Sequence, residues 1–462
     1  MTFAARLTGG AILAATLACA RATTTPGRAA ATAEDSASPA TRLHIPVEYR
    51  KLDNGLKVVL SRDTTAPIVT VGVYYDIGFR IEPKNRTGFA HLFEHLMFQG
   101  SQNLGKMEFI RLVQSNGGIL NGSTRFDFTN YFEIVPSHKL ETMLWAEADR
   151  MRGLAITQEN LKNQQEVVKN EVRVNVLNQP YGGFPWLDMP QRANTNWYNA
   201  HNFYGELGDL DAATLEDARS FFRTYYAPNN AALVISGDFE PAQALAMVRK
   251  YFGPIPPSPQ AGKPDISEPR QQREKRSSKP DPLAQRPAFA AAYHIPERNT
   301  PEYYAMGLID QILLQGKDSR LYQALVQRRG LTGEVSGGIN LLGNMFNYNG
   351  PMLWIVSLFH DTGTSSDSIV AVMDHEIERL RTAPVDQETL KRARVKMRSG
   401  LYESIEQLFG FGRADLLAAF ALFDDDPARV NRLEQEFEKV TPELILKTAR
   451  EYLRPTNRTV LT

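Results

Sequence analysis

The order of strand-like and helix-like segments runs through once, halts at a stretch without apolar periodicity, and then begins again. From residue 254 to 287 the chain is rich in Pro, Ser, Lys and Arg, the composition of a linker rather than of a packed layer. Before it, β-rich runs at 56–61 and 68–76 are followed by helical patterns at 87–99 and 106–115. Extended runs at 119–125 and 129–135 then precede long helices near 138–152 and 158–178. A helix near 213–225, a strand at 231–236 and a helix at 241–252 close this half. After the linker come a strand at 288–293, helices at 301–314 and 319–328, and strands at 333–340 and 352–358. Helices at 366–382, 387–405 and 442–453 lead to a last strand at 458–461. Glu94-His95-Leu96-Met97-Phe98-Gln99-Gly100 also lines up with Asp310-Gln311-Ile312-Leu313-Leu314-Gln315-Gly316 at equivalent points of the two orders. The expectation is an α+β chain of two homologous domains, each a mainly antiparallel sheet backed by helices. The first spans 43–256, the linker 257–286 and the second 287–462.

Composition narrows the chemistry. Lys and Arg total 52 against 52 Asp and Glu, so no basic excess points to nucleic acid as a partner. One cysteine excludes an intrachain disulfide and any Cys-rich zinc site. A metal must therefore sit on His, Asp or Glu.

The first residues have the pattern of an export signal. A positive charge at Arg6 precedes an apolar run over residues 7–18. A membrane-spanning helix needs roughly 20 such residues, so the run suits the apolar core of a secretory signal. Residues 1–21 are expected to be that signal and 22–42, rich in Ala, Thr, Ser and Pro, a flexible tether. Export to the periplasm or beyond follows. Cys19 stands where a bacterial lipoprotein carries its lipid anchor, although Thr16 occupies a position usually aliphatic.

The chemistry-bearing motif is His91-Leu92-Phe93-Glu94-His95. On a helix, positions i and i+4 stack on one face with i+3 beside them, so two imidazoles reach one ion and Glu94 can hold its water. This is the inverted zinc motif HxxEH. A catalytic zinc needs a third protein ligand and an open fourth position. The helix after Gln158 offers Glu166 and Glu171, which lie about 140° apart around the axis and cannot face one point. Helical geometry does not choose between them.

The stretch Gly88-Phe89-Ala90-His91-Leu92-Phe93-Glu94-His95-Leu96-Met97-Phe98-Gln99-Gly100-Ser101 resembles the active-site helix of the pitrilysin/insulinase family of zinc peptidases. The resemblance extends from about residue 48 to the end and is strongest in the first half. It implies the LuxS/MPP-like metallopeptidase fold. It also implies a third ligand well downstream in an Asn-Glu or Arg-Glu dipeptide, a place that Asn170-Glu171 fills. The implied roles are zinc ligation by His91, His95 and Glu171, with Glu94 as general base. In several relatives a second acidic residue stands seven positions before the third ligand; here it is Gln164. Gly117-Gly118-Ile119-Leu120-Asn121-Gly122-Ser123-Thr124 resembles the family's edge strand, which implies peptide binding at Gly118, Leu120, Asn121, Gly122 and Ser123 by strand addition.

The second half departs from the family. Active members usually carry an Arg and, seven residues on, a Tyr that grip substrate; here those positions are Val326 and Gly333. Neither side chain donates a hydrogen bond. Arg328 and Arg329 are near but out of register. The resemblance therefore implies the zinc-bearing subunit of a heterodimer, whose homologous partner supplies the Arg/Tyr pair and with it closes a four-domain chamber for short or unfolded peptides. The alternatives are a self-sufficient peptidase, as monomer or homodimer, and a non-catalytic peptide-binding or scaffold subunit. A His/His/Glu set also suits manganese or cobalt.

Overall fold

The computed structural model describes residues 42–259 and 262–462. The expected signal, nearly all of the tether and Cys19 lie outside the described residues. Among the described residues, no helix is long and apolar enough to cross a membrane.

Six strands build the first sheet: β1 (Glu48–Lys51), β2 (Lys57–Arg62), β3 (Ile68–Tyr75), β4 (Ile119–Thr124), β5 (Thr129–Pro136) and β6 (Ala231–Gly237), in the order β1-β2-β6-β3-β5-β4. All pairs are antiparallel except β2 with β6. Alternation divides the side chains between two faces. Val58 and Leu60 of β2, Val69, Val71 and Val73 of β3, and Leu233 and Ile235 of β6 pack on one face. The helices they meet there include α1 (Phe89–Leu96), α2 (Glu108–Ser115), α3 (Leu140–Arg152) and α4 (Gln158–Val172). Val59, Tyr74, Ala232 and Val234 point the other way, into a core shared with the second half.

The second sheet holds β7 (Lys275–Ser277), β8 (Ala288–His294), β9 (Ser336–Ile339), β10 (Leu353–Phe359) and β11 (Arg458–Leu461), in the order β7-β11-β8-β10-β9. Only β7 with β11 is parallel. The expected two-domain α+β architecture is the observed one, and residues Leu43–Thr462 pack as one unit.

Three segments differ from expectation. The 257–286 linker contributes β7, and its buried Gln271 donates to the Arg458 carbonyl at 2.8 Å. An edge strand pairs through its main chain and needs no apolar alternation, so composition alone hides it. The helix expected at 387–405 runs from Gln387 to Asp424 across a break at Gln407–Gly410. Its second part packs on the first sheet and is buried from Leu416 to Leu422, which removes the one-sided apolar stripe that marks a surface helix. Finally, α4 ends at Val172 and continues as a π-helical turn over Arg173–Leu177.

Candidate metal centre

Helix α1 starts at Gly88, whose φ of 83° suits a residue without a Cβ. No side chain of the helix caps it. The wholly buried Glu82 does so instead, accepting from the backbone N–H of Gly88 at 2.9 Å and of Ala90 at 2.6 Å. A carboxylate at a helix N-terminus satisfies orphan donors and meets the positive end of the dipole. Phe89, Leu92, Phe93 and Leu96 face the core, and this rolls His91, Glu94 and His95 toward the far side of the helix.

Helix α4 begins with the Thr157 side chain accepting from Asn160 N–H, and buries Leu161, Gln165, Val168 and Val172. The Gln165 amide donates to the carbonyls of Leu210 and Ala213 at 2.6 and 3.0 Å. With that face inward, Glu171 reaches α1. Its Oε1 lies 3.5 Å from His91 Nε2 and its Oε2 lies 3.2 Å from His95 Nε2, while the two Nε2 atoms are 3.3 Å apart. Ligands at about 2.0–2.1 Å around a tetrahedral ion stand about 3.3–3.4 Å from each other. The Nε2–Nε2 separation matches that edge length, and each imidazole nitrogen faces one Glu171 oxygen at a similar distance, so the three side chains can close around one ion. Among the described residues, this is the one group of three or more His, Cys, Asp or Glu side chains that could hold a metal.

Helix geometry left Glu166 and Glu171 as alternatives, and the structure separates them. Glu166 is exposed and pairs with Lys169 at 2.7 Å. Gln164, seven residues before Glu171, is buried and donates to Asn163 Oδ1 at 2.8 Å. Burial opposes ionisation of Glu171, but the facing imidazoles of His91 and His95 outweigh it and hold the carboxyl well below the usual range.

Glu94 is held from β4. The Thr124 hydroxyl donates to Glu94 Oε2 at 2.7 Å, and a Cβ on Gly122 would sit 3.3 Å from Glu94 Cγ. Among the described residues, strand β4 pairs only with β5, so its other edge is open. Leu120, Asn121, Gly122 and Ser123 lie on it. Gly118 precedes the strand, packs tightly on Val135, and spends its N–H on the Val113 carbonyl at 3.0 Å.

Three supporting residues escaped sequence reasoning: Glu82, Thr124 and Tyr204. Thr124 is the last residue of the quoted edge-strand motif but carries no assigned role there, whereas Tyr204 follows a Pro/Gly/Asn-rich stretch that gives no signal. The Tyr204 hydroxyl donates to Glu171 Oε1 at 2.9 Å, and its ring stands perpendicular to His91 at 5.1 Å.

The repeat in the second half lacks these groups. Asp310 stands where Glu94 does, while Gly307 and Gln311 replace the two histidines. Asp310 is buried and accepts from Trp354 Nε1 at 2.7 Å and Gln315 Nε2 at 3.2 Å. Val326 falls in a π-helical segment, Tyr322–Arg328, and Gly333 in the loop before β9.

Two α+β domains, one of them bearing a His/His/Glu cluster beside an open strand, define a peptidase-like chain. Residues 57–181 match the family description "Insulinase (Peptidase family M16)", and residues 212–397 match "Peptidase M16 inactive domain". The chain belongs to the M16 peptidase family. It is 24% identical over 424 residues to the zinc protease PqqE of Helicobacter pylori, covering 89% of this chain and 91% of that one. It is also 24% identical over 307 residues to the uncharacterized zinc protease ML0855 of Mycobacterium leprae, 63% of this chain and 65% of that one. A crystal structure of a protease from Helicobacter pylori superposes with a TM-score of 0.83 at 23% identity, over 90% of this chain and 99% of that one. The periplasmic protease PqqL from Escherichia coli superposes with a TM-score of 0.73 at 16% identity, over 91% of this chain but 48% of its own.

Proposed function

We propose that this chain is an exported zinc-dependent endopeptidase of short or unfolded peptides, and the zinc-bearing subunit of a heterodimer. The observation that carries the reading is the convergence of His91, His95 and Glu171 beside an unpaired strand edge, with Glu94 on the same helix turn. A zinc ion held by those three would supply a Lewis acid and acidify water. Glu94 accepts the proton of the attacking water and returns it to the leaving amine. An extended peptide pairs with the outward N–H and C=O groups of β4, near Leu120, Asn121, Gly122 and Ser123, displacing the Asn121 side chain from the Gly122 N–H, so its scissile carbonyl is presented beside Glu94. Recognition through main chain favours unfolded substrates over particular sequences.

Val326 and Gly333 leave the site without the Arg/Tyr grip, which favours a partner that supplies it. The match to about half of PqqL supports the same reading, since a single chain there has room for a second such half. The apolar run at 7–18 and the periplasmic location in that protein's name support export. Cys19 would provide a lipid anchor if it is retained.

The test is hydrolysis of an internally quenched, unstructured peptide by the zinc-loaded protein, alone and mixed with a homologous subunit carrying the Arg/Tyr pair. Turnover only in the mixture, lost in Glu94→Gln, is the expected result. Turnover by the chain alone would overturn the split-site reading. Silence in both, with zinc bound, would favour a peptide-binding role.

A further inference from the structure

Resting on the metal site proposed above, we propose that Tyr204 is the positioning residue that aims Glu171, the role being filled from a loop rather than from α4. Glu171 is the last-turn residue of α4, its side chain is about one-third exposed, and a free carboxylate there would rotate among several rotamers. The Tyr204 hydroxyl, donating to Oε1 at 2.9 Å, restricts that rotation.

Tyr204 is built to be immobile relative to α1. Its N–H donates to Asn202 Oδ1 at 3.1 Å. The next residue, Gly205, meets Gly88 backbone to backbone, and Glu206 N–H donates to Thr87 Oγ1 at 2.9 Å. The phenol ring packs against Trp186 at 5.7 Å and edge-on to His91 at 5.1 Å. The loop that carries the hydroxyl is thus fastened to the start of the helix that carries both histidines. One anchor therefore fixes the third ligand against the other two. A hydroxyl donor on one carboxylate oxygen fixes the plane of the carboxylate and leaves its other lone pairs for the ion, as partners behind metal ligands do.

The test compares the full chain with Tyr204→Phe, which keeps the ring and removes only the hydroxyl, and with Tyr198→Phe as a control. Zinc affinity is read by chelator competition, cobalt loading by visible absorption, and the metal-free fold by thermal melting. The expected result is a 10–100-fold loss of zinc affinity and an altered cobalt spectrum for Tyr204→Phe, with metal-free melting unchanged and the control like wild type. Unchanged affinity and spectrum in Tyr204→Phe, with wild type binding zinc, would overturn this proposal and leave the metal site standing. A loss of affinity matched by a fall in metal-free melting would overturn it in favour of a structural role. Failure of the wild type to take up zinc would instead overturn the metal reading, and the Tyr204 proposal with it.

Discussion

Thr124, the last residue of β4, donates its hydroxyl to Glu94 Oε2 at 2.7 Å, so its side chain joins the open strand edge to the helix that carries His91 and His95. The same strand clears the space for that carboxylate, because Gly122 has no side chain where Glu94 Cγ passes. A hydrogen bond to a charged group contributes about 1.5–3 kcal/mol. Thr124→Val keeps the shape and removes the donor. It is expected to lower kcat by about tenfold to a hundredfold with little change in KM, and Thr124→Ser is expected to restore most of it. Steady-state kinetics on an unstructured peptide decide the matter. A rise in KM alone would mean that Thr124 serves the strand and not Glu94.

Glu171 and Glu166 are predicted to part company in metal binding. Metal that binds only the folded state stabilises by about 2.7 kcal/mol at a hundredfold excess over Kd. Zinc should therefore raise the melting temperature of the wild type and of Glu166→Gln, and fail to raise that of Glu171→Gln. Glu166 is an exposed partner of Lys169, an ion pair contributing about 0–1 kcal/mol, so its loss should scarcely move the metal-free melt. Equal zinc responses in the two variants would place the third ligand elsewhere.

These two glutamates also mark how much of the centre is legible in the chain. Spacing puts His91, Glu94 and His95 on one helix turn, because a helix has one period and three side chains suffice to read it. Between Glu166 and Glu171 spacing is silent, since the choice depends on how α4 rolls. That roll is set by Leu161, Gln165, Val168 and Val172 together, and Gln165 belongs to the buried face only because the carbonyls of Leu210 and Ala213 await it. Strands β3, β5 and β6 follow from their runs of buried β-branched and aromatic residues. By contrast, β7 and the second part of the Gln387–Asp424 helix are hidden, one pairing at an edge without apolar alternation and the other buried all round. Tyr204 is beyond any local pattern, because its meaning arises only when its loop meets Gly88.

The meeting of Gly88 and Gly205 is itself testable. A Cβ on Gly205 would lie 2.5 Å from Gly88 Cα, backbone that cannot step aside, and Gly205 has a φ of +86°. Left-handed backbone in a residue with a side chain costs about 1–3 kcal/mol, and overpacking adds a similar amount. Gly205→Ala should lower the denaturation midpoint by the equivalent of more than about 2 kcal/mol, and weaken zinc binding as the Tyr204 loop is pushed from α1. Gly208→Ala is the control, since nothing lies within 4 Å of a Cβ there. Equal midpoints for the two variants would show that the glycine contact is not needed.

Asp310, the counterpart of Glu94 in the second half, is predicted to make stability depend on pH in the direction opposite to a paired carboxylate. Burial penalises its anion and pushes the carboxyl up to about 6, although Trp354 and Gln315 donate to it. In the unfolded chain the group titrates near its ordinary value of about 3.9. The folded state therefore keeps the proton longer. The stability this confers is fully present below about pH 4 and is lost as pH rises to and through about 6. Two units of difference correspond to about 3 kcal/mol. Asp310→Asn cannot ionise and still offers an acceptor to Trp354. Its unfolding free energy relative to wild type should rise by up to about 3 kcal/mol between about pH 4 and pH 7 and then level off. Denaturant titrations across that range measure the difference directly, and a flat line would mean that Asp310 is already ionised inside the folded second domain at low pH. A rising line would show why a carboxyl can persist at this point of the repeat without histidines or a metal beside it, since near and below pH 6 it is held as a neutral acid between an indole and an amide.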